Sequence, residues 1–138
     1  MPSTATTQTA ICQSLADCKT IAVVGLSPKP HRDSFRVAKY MQDHGYRIVP
    51  INPNATEVLG EKAYASLTEA AQHAHIDMVN CFRNSEDIPP IAAEAIAIGA
   101  KSLWLQIGVV NDAAAQLATD AGLVVVQNLC LMVEHRQL

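Results

Sequence analysis

Short runs of consecutive apolar residues recur along the chain. Between them, apolar positions return every three or four residues. The runs are 21–25 (IAVVG), 46–51 (YRIVPI), 77–82 (DMVNCF), 102–107 (SLWLQI) and 123–127 (LVVVQ). They are mainly aliphatic or β-branched, and most are apolar at neighbouring rather than alternate positions. Strands covered on both faces, as in a parallel sheet, carry that pattern. The intervening segments are punctuated as helices. Ser34 stands where an N-cap is expected, ahead of a helix over 35–44 that Gly45 ends, with Val37, Ala38 and Met41 as its apolar stripe. Ser66 and Glu69 form a capping-box pattern before a short helix reaching Ala74. Asp87 precedes Ile88, Pro89 and Pro90, where proline is tolerated, and a helix runs on through Ile91, Ala95 and Ile98 to Gly99. Asn111 or Asp112 caps a helix over 113–121 that Gly122 stops. A further helix covers 10–18, and a short turn follows Cys130.

Five strands with intervening helices imply right-handed crossovers and an α/β architecture. The expected form is a Rossmann-like, doubly wound, five-stranded parallel sheet of order 3-2-1-4-5, with helices on both faces. At 138 residues the chain suits one domain, spanning 1–138, with 1–19 as an N-terminal extension or helix. A hydrophobic share of 49% is enough to fill a core and argues against disorder. Aromatics are only 4%, so that core is aliphatic.

A net charge of −3 disfavours a nucleic-acid partner. No apolar run approaches the roughly 18 residues of a membrane span, so no membrane association is expected. The first residues lack the basic and apolar regions of a secretory signal, which points to the cytoplasm. Cys12, Cys18, Cys81 and Cys130 show no paired spacing, and His73 with His75 is too little for zinc, so no metal is expected.

Ligands of open α/β sheets bind beyond the carboxyl ends of the strands. Those ends are the segments 25–34, 52–53, 82–85, 106–108 and 128–130. The first, GLSPKPHRDS, is the most informative. Gly25 lets the backbone turn and lets a ligand come close. Ser34 opens a helix whose free N–H groups favour an anion, and Lys29, Arg32, Arg36 and Lys39 outnumber Asp33 there. This is a phosphate-binding pattern, although Arg36 and Lys39 read better as the solvated face of the helix. The loop is not GxGxxG, and Asn52 stands where an NAD-binding domain offers an acid to the ribose, so NAD is disfavoured. No phosphate-loop or GxSxG motif is present. Cys81 reads as a core thiol. Cys130 either faces a ligand or is a partly buried residue of the terminal turn. Glu134 and His135 diverge, and no catalytic constellation emerges.

The segments IAVVGLSPKPHRDS, GYRIVPINPNATEVLGEKAYASL and DMVNCFRNSEDIPPIAAEAIAIGAKSLWLQIGVVN follow one another in an order that is familiar as a set. From about Thr20 to the C-terminus the chain resembles the small CoA-binding proteins, single-domain relatives of the CoA-binding domain of the succinyl-CoA synthetase alpha subunit. The resemblance implies that Gly25, Leu26, Ser27, Lys29, Arg32 and Ser34 hold the phosphates of coenzyme A. It implies Asn52 and Pro53 near the adenosine, with Phe82 and Arg83 beside the nucleotide and pyrophosphate. It implies Gln106 to Gly108 along the pantetheine arm and Cys130 near the CoA thiol. CoA carries a pyrophosphate and a 3′-phosphate, and Lys29, Arg32 and Arg83 supply the matching charge. Two departures stand out. The first loop is rich in proline and cations rather than glycine, and Leu131 follows the cysteine where the synthetases have proline. At this length the synthetases' phosphohistidine and nucleotide-grasp domains are not expected, so the resemblance implies binding rather than ligase activity of its own.

The expected function is therefore non-catalytic binding of CoA or acyl-CoA. The alternatives are a nicotinamide-nucleotide oxidoreductase, or an accessory subunit of an acyl-CoA-processing enzyme. The alanine-rich stretches 92–100 and 113–121 suit either a homodimer surface or core packing.

Overall fold

Each of the five apolar runs forms a strand of one parallel sheet. The computed structural model describes residues 4–138. In chain order the elements are α1 (Thr4–Asp17), β1 (Thr20–Val24), α2 (Asp33–Asp43), β2 (Arg47–Ile51), β3 (Glu57–Val58), β4 (Glu61–Lys62) and α3 (Leu67–Ala71). Then come β5 (Met78–Cys81), a 3₁₀ turn (Ser85–Asp87), α4 (Ile88–Ala97), β6 (Ser102–Leu105), α5 (Asp112–Asp120), β7 (Val124–Val126) and α6 (Leu131–Arg136). None of the described helices is long and apolar enough to cross a membrane.

The architecture is Rossmann-like and doubly wound, but the strand order corrects the expectation. The sheet runs β2-β1-β5-β6-β7, which is 2-1-3-4-5 over the five apolar runs, not 3-2-1-4-5. Pro50 supplies the physical reason. Its carbonyl accepts the Tyr64 N–H at 3.0 Å on the outer side of β2. A strand residue points its N–H and C=O the same way, so the donor that proline lacks is missing from that outer edge. A third strand cannot complete a ladder there, and only the isolated bridge Ile51↔Tyr64 forms. The third run pairs instead with the free side of β1, in register Ile21↔Met78 to Val24↔Cys81. The point where strand order reverses therefore lies between β1 and β5.

Alternation along the strands divides the core. Ala22 and Val24 of β1, with Val79 and Cys81 of β5, pack under α3, α4 and α5. Ile21, Val23 and Met78 face α1, α2 and α6 through Ile11, Leu15, Met41 and Leu131. Ala92, Ala95, Ala114 and Ala118 are at most 2% exposed. These four alanines are core residues, whereas Ala93, Ala97 and Ala113 are exposed, and Leu117 is the large apolar side chain that α5 leaves exposed. Two caps match the sequence pattern: Ser66 Oγ accepts the Glu69 N–H at 3.1 Å, and Asn111 Oδ1 accepts the Ala114 N–H at 3.0 Å. The long connection after β2 is folded rather than loose. It holds the β3–β4 hairpin, whose turn puts Leu59 (φ 56°) and Gly60 (φ 76°) in the left-handed region that a two-residue hairpin needs.

Candidate functional site

At the switch point the loops after β1 and β5 nearly touch. Gly25 makes this possible. Its φ is +86°, and a Cβ there would lie 2.6 Å from the Phe82 carbonyl oxygen and 3.3 Å from Arg83 Cδ. Its N–H donates to Ile51 O at 3.0 Å, and the Phe82 N–H donates to Val24 O at 2.9 Å. The β1 and β5 ends are therefore locked side by side with no room for a side chain.

The loop from Gly25 to α2 is tied from within. The Ser27 N–H donates to Ser34 Oγ at 3.0 Å, and the Lys29 N–H to Ser27 Oγ at 3.1 Å. Ser34 is thus not the helix cap expected from the sequence. The helix starts two residues earlier, Arg32 takes the N-cap position without a side-chain bond, and the buried Ser34 hydroxyl braces the loop instead. Leu26 is also buried, and its carbonyl accepts Asn52 Nδ2 at 2.9 Å. Asn52 Oδ1 accepts the Asn54 N–H at 2.8 Å, so both ends of that side chain are engaged as a clip between the β1 and β2 ends.

A cavity of ≈ 430 Å³ opens over this loop, lined by Gly25, Ser27, Lys29, Arg32, Asp33, Ser34 and Phe82. Its charge is positive in effect. Arg36 forms an ion pair with Asp33, and Lys39 pairs with Asp43 at 3.2 Å, both on the exposed helix face. Lys29 and Arg32 make no ion pair among the described residues. With the uncapped start of α2 they form a place suited to an anion.

Two more cavities adjoin it. A groove of ≈ 360 Å³ shares Gly25 and runs between β2, α3 and α4, past Ile51, Pro53, Leu67, Arg83 and Ile91. Arg83 reaches Asp87 at 3.4 Å and lines this groove, whereas Lys29 and Arg32 line the first cavity. On the other side a cavity of ≈ 320 Å³ shares Asp33 and Phe82 and is walled by Val37, Gln106, Ile107, Cys130, Met132 and Val133. Gln106 is buried. Its Oε1 accepts the Leu131 N–H at 3.0 Å. Cys130 sits at the N-cap of α6 and is 9% exposed, so it is both a terminal-turn residue and part of the cavity wall. Cys81 is a core thiol whose pKa burial pushes up to about 12.

Gly108 lines none of the three cavities. Its N–H donates to Asn128 Oδ1 at 2.7 Å, and Ser85 Oγ accepts the Val110 N–H at 2.9 Å. These bonds hold the loop after β6 so that Ile107, 67% exposed, stands at the mouth of the third cavity. The part played by Met132 and Val133 escaped the sequence reading. The apolar triplet after Cys130 was its only signal. Among the described residues no three His, Cys, Asp or Glu side chains cluster as metal ligands.

Comparison with known proteins finds relatives over most of the chain. Residues 19–136 match the model of a family described as a CoA binding domain. The uncharacterized protein YneT of Bacillus subtilis (strain 168) is 46% identical over 125 residues, covering 91% of each chain. The solved structure of a hypothetical protein from Pyrococcus horikoshii OT3 is 40% identical, with a TM-score of 0.89 over 95% of this chain and 91% of that one. A Thermus thermophilus structure is 32% identical, with a TM-score of 0.86 over 94% and 97%. With nearly its whole length matched and its switch-point loops arranged around a cationic cavity, the chain belongs to the CoA binding domain family.

Proposed function

We propose that this protein binds CoA, free or as an acyl thioester, along the carboxyl edge of its sheet and performs no reaction of its own. The observation that carries this reading is the row of three adjoining cavities with the cationic one in the middle. A ligand that fits has an anionic centre and an arm on either side, and CoA has that layout. The diphosphate belongs over Ser27, Lys29, Arg32 and Ser34. The adenosine belongs in the groove past Pro53 and Arg83. The pantetheine belongs against Gln106, Ile107 and Cys130. An arm lying there would also cover the exposed face of Ile107.

A nicotinamide dinucleotide fits less well. The ribose acid is absent at the end of β2, and Asn52, which replaces it, is committed at both ends. The test is calorimetric titration of ligand-stripped protein with CoA, dephospho-CoA and NAD, repeated with Arg32→Ala. CoA binds in preference to the other two, and Arg32→Ala weakens it by about tenfold or more, as expected for a charge-assisted phosphate contact. Binding of NAD alone would revive the oxidoreductase and overturn the reading.

A further inference from the structure

Asn80 is wholly buried, and neither Oδ1 nor Nδ2 has a hydrogen-bond partner, a state unique among the buried side chains described. It stands in β5 between its register neighbours Val23 of β1 and Trp104 of β6. Met78 and Phe82 pack with the α1–α2–α6 cluster, while Val79 and Cys81 pack on the opposite face. By alternation Asn80 lies on the α2–α6 side, and Phe82 is the next residue on that side toward the site. A carboxamide unpaired at both ends in an apolar core is destabilising, and an apolar replacement of similar shape would remove the penalty. Nothing in the fold uses its hydrogen-bonding capacity.

Phe82 separates this amide from the ligand site. It is partly exposed and borders both the cationic cavity and the cavity beside Cys130. Its backbone is pinned by the bond to Val24 and by the contact with Gly25. Only its side chain is free to turn. Because it lines both cavities, its rotation is the movement that would connect them and open the strand face beneath it.

We propose that Asn80 is a recognition group for an amide in the ligand's arm, reached when the Phe82 side chain turns aside. The ligand class is a nucleotide diphosphate bearing an arm with secondary amides. Such an arm offers a carbonyl to Nδ2 and an N–H to Oδ1. The inference rests on the CoA reading above, since pantetheine is an arm of this kind.

The test compares CoA with 3′-phospho-ADP, which keeps the headgroup and lacks the arm. In ¹⁵N-labelled protein, CoA shifts the Asn80 side-chain amide resonance, identified by its absence from Asn80→Leu, and 3′-phospho-ADP leaves it in place. In calorimetry Asn80→Leu weakens CoA by about tenfold, the scale of one buried hydrogen bond, and keeps 3′-phospho-ADP within about twofold. The ligand-free unfolding midpoint of the variant does not fall. A resonance that CoA does not shift, or wild-type CoA affinity in Asn80→Leu, overturns the inference. If Asn80→Leu fails to fold, Asn80→Ala takes its place. Equal binding of both ligands to the wild type leaves the CoA reading standing and sinks the role of Asn80. Binding of neither sinks the CoA reading itself.

Discussion

Replacing Gly25 by alanine separates two effects that glycine usually merges. The residue has φ +86°, so any L side chain there is strained by about 1–2 kcal/mol. The new Cβ would also stand 2.6 Å from the Phe82 carbonyl oxygen, which belongs to backbone and cannot rotate away. Relief requires the loop after β5 to move, at a further cost of about 1–3 kcal/mol by analogy with overpacked cores. Gly45 is the control. Its φ is +93°, yet a Cβ there meets nothing within 4 Å, so Gly45→Ala carries the strain alone. Urea unfolding of both variants is the assay. Gly25→Ala loses about 2–5 kcal/mol and Gly45→Ala about 1–2 kcal/mol, a gap worth several degrees in Tm. Gly25→Ala also weakens ligand binding, because the displaced loop carries Phe82 and Arg83. Equal losses in the two variants would refute the claim that the β1 and β5 ends are in backbone contact.

Two predictions concern the opposite end of the sheet and the thiols. Burial pushes the Asp77 carboxyl up, but the N–H groups of Lys19 and Thr20, then Lys101 and His75, outweigh it and hold its pKa below the ordinary value. Its stabilisation is therefore complete above the unfolded value of about 3.9 and is lost as pH falls through the lower folded value. Asp77→Asn lowers stability by about 1.5–3 kcal/mol at pH 7 and by much less at pH 2, measured by urea unfolding, and a pH-independent loss would contradict this. Burial, then Asp77, raises the pKa of Cys18 to about 12, and burial alone does the same for Cys81, whereas Cys12 is exposed. Iodoacetamide at neutral pH, followed by peptide mass analysis, labels Cys12 well before Cys18 or Cys81, and comparable rates would show that the core opens readily.

The apolar runs and the caps at Ser66 and Asn111 were legible because they depend on local chemistry. The strand order was legible too, in a single residue. Pro50 in an otherwise apolar run argues for an edge strand, and weighing it would have moved the third strand to the far side of β1. The cationic loop after β1 could be read through Gly25, Lys29 and Arg32, since glycine and cations at a strand end have few other uses. Ser34 and Asn52 could not be read in full. Serine before an apolar stripe looks like a cap, and only the folded loop shows its hydroxyl accepting the Ser27 N–H instead. Asn52 joins residues 26 positions apart in sequence, a pairing that no local pattern carries. Asn80 looked like one more residue of a buried strand, and its lack of partners is visible only when its neighbours are in place.

The proline that sets the order of the sheet also protects the molecule from its own kind. A parallel sheet ends in exposed backbone groups that can template another chain. On the β2 side Pro50 offers no donor, and Tyr64 already occupies its carbonyl, so an incoming strand finds the ladder broken. The opposite border is β7, only three residues long. Open-ended growth of the sheet is thus discouraged at one border by chemistry and at the other by brevity.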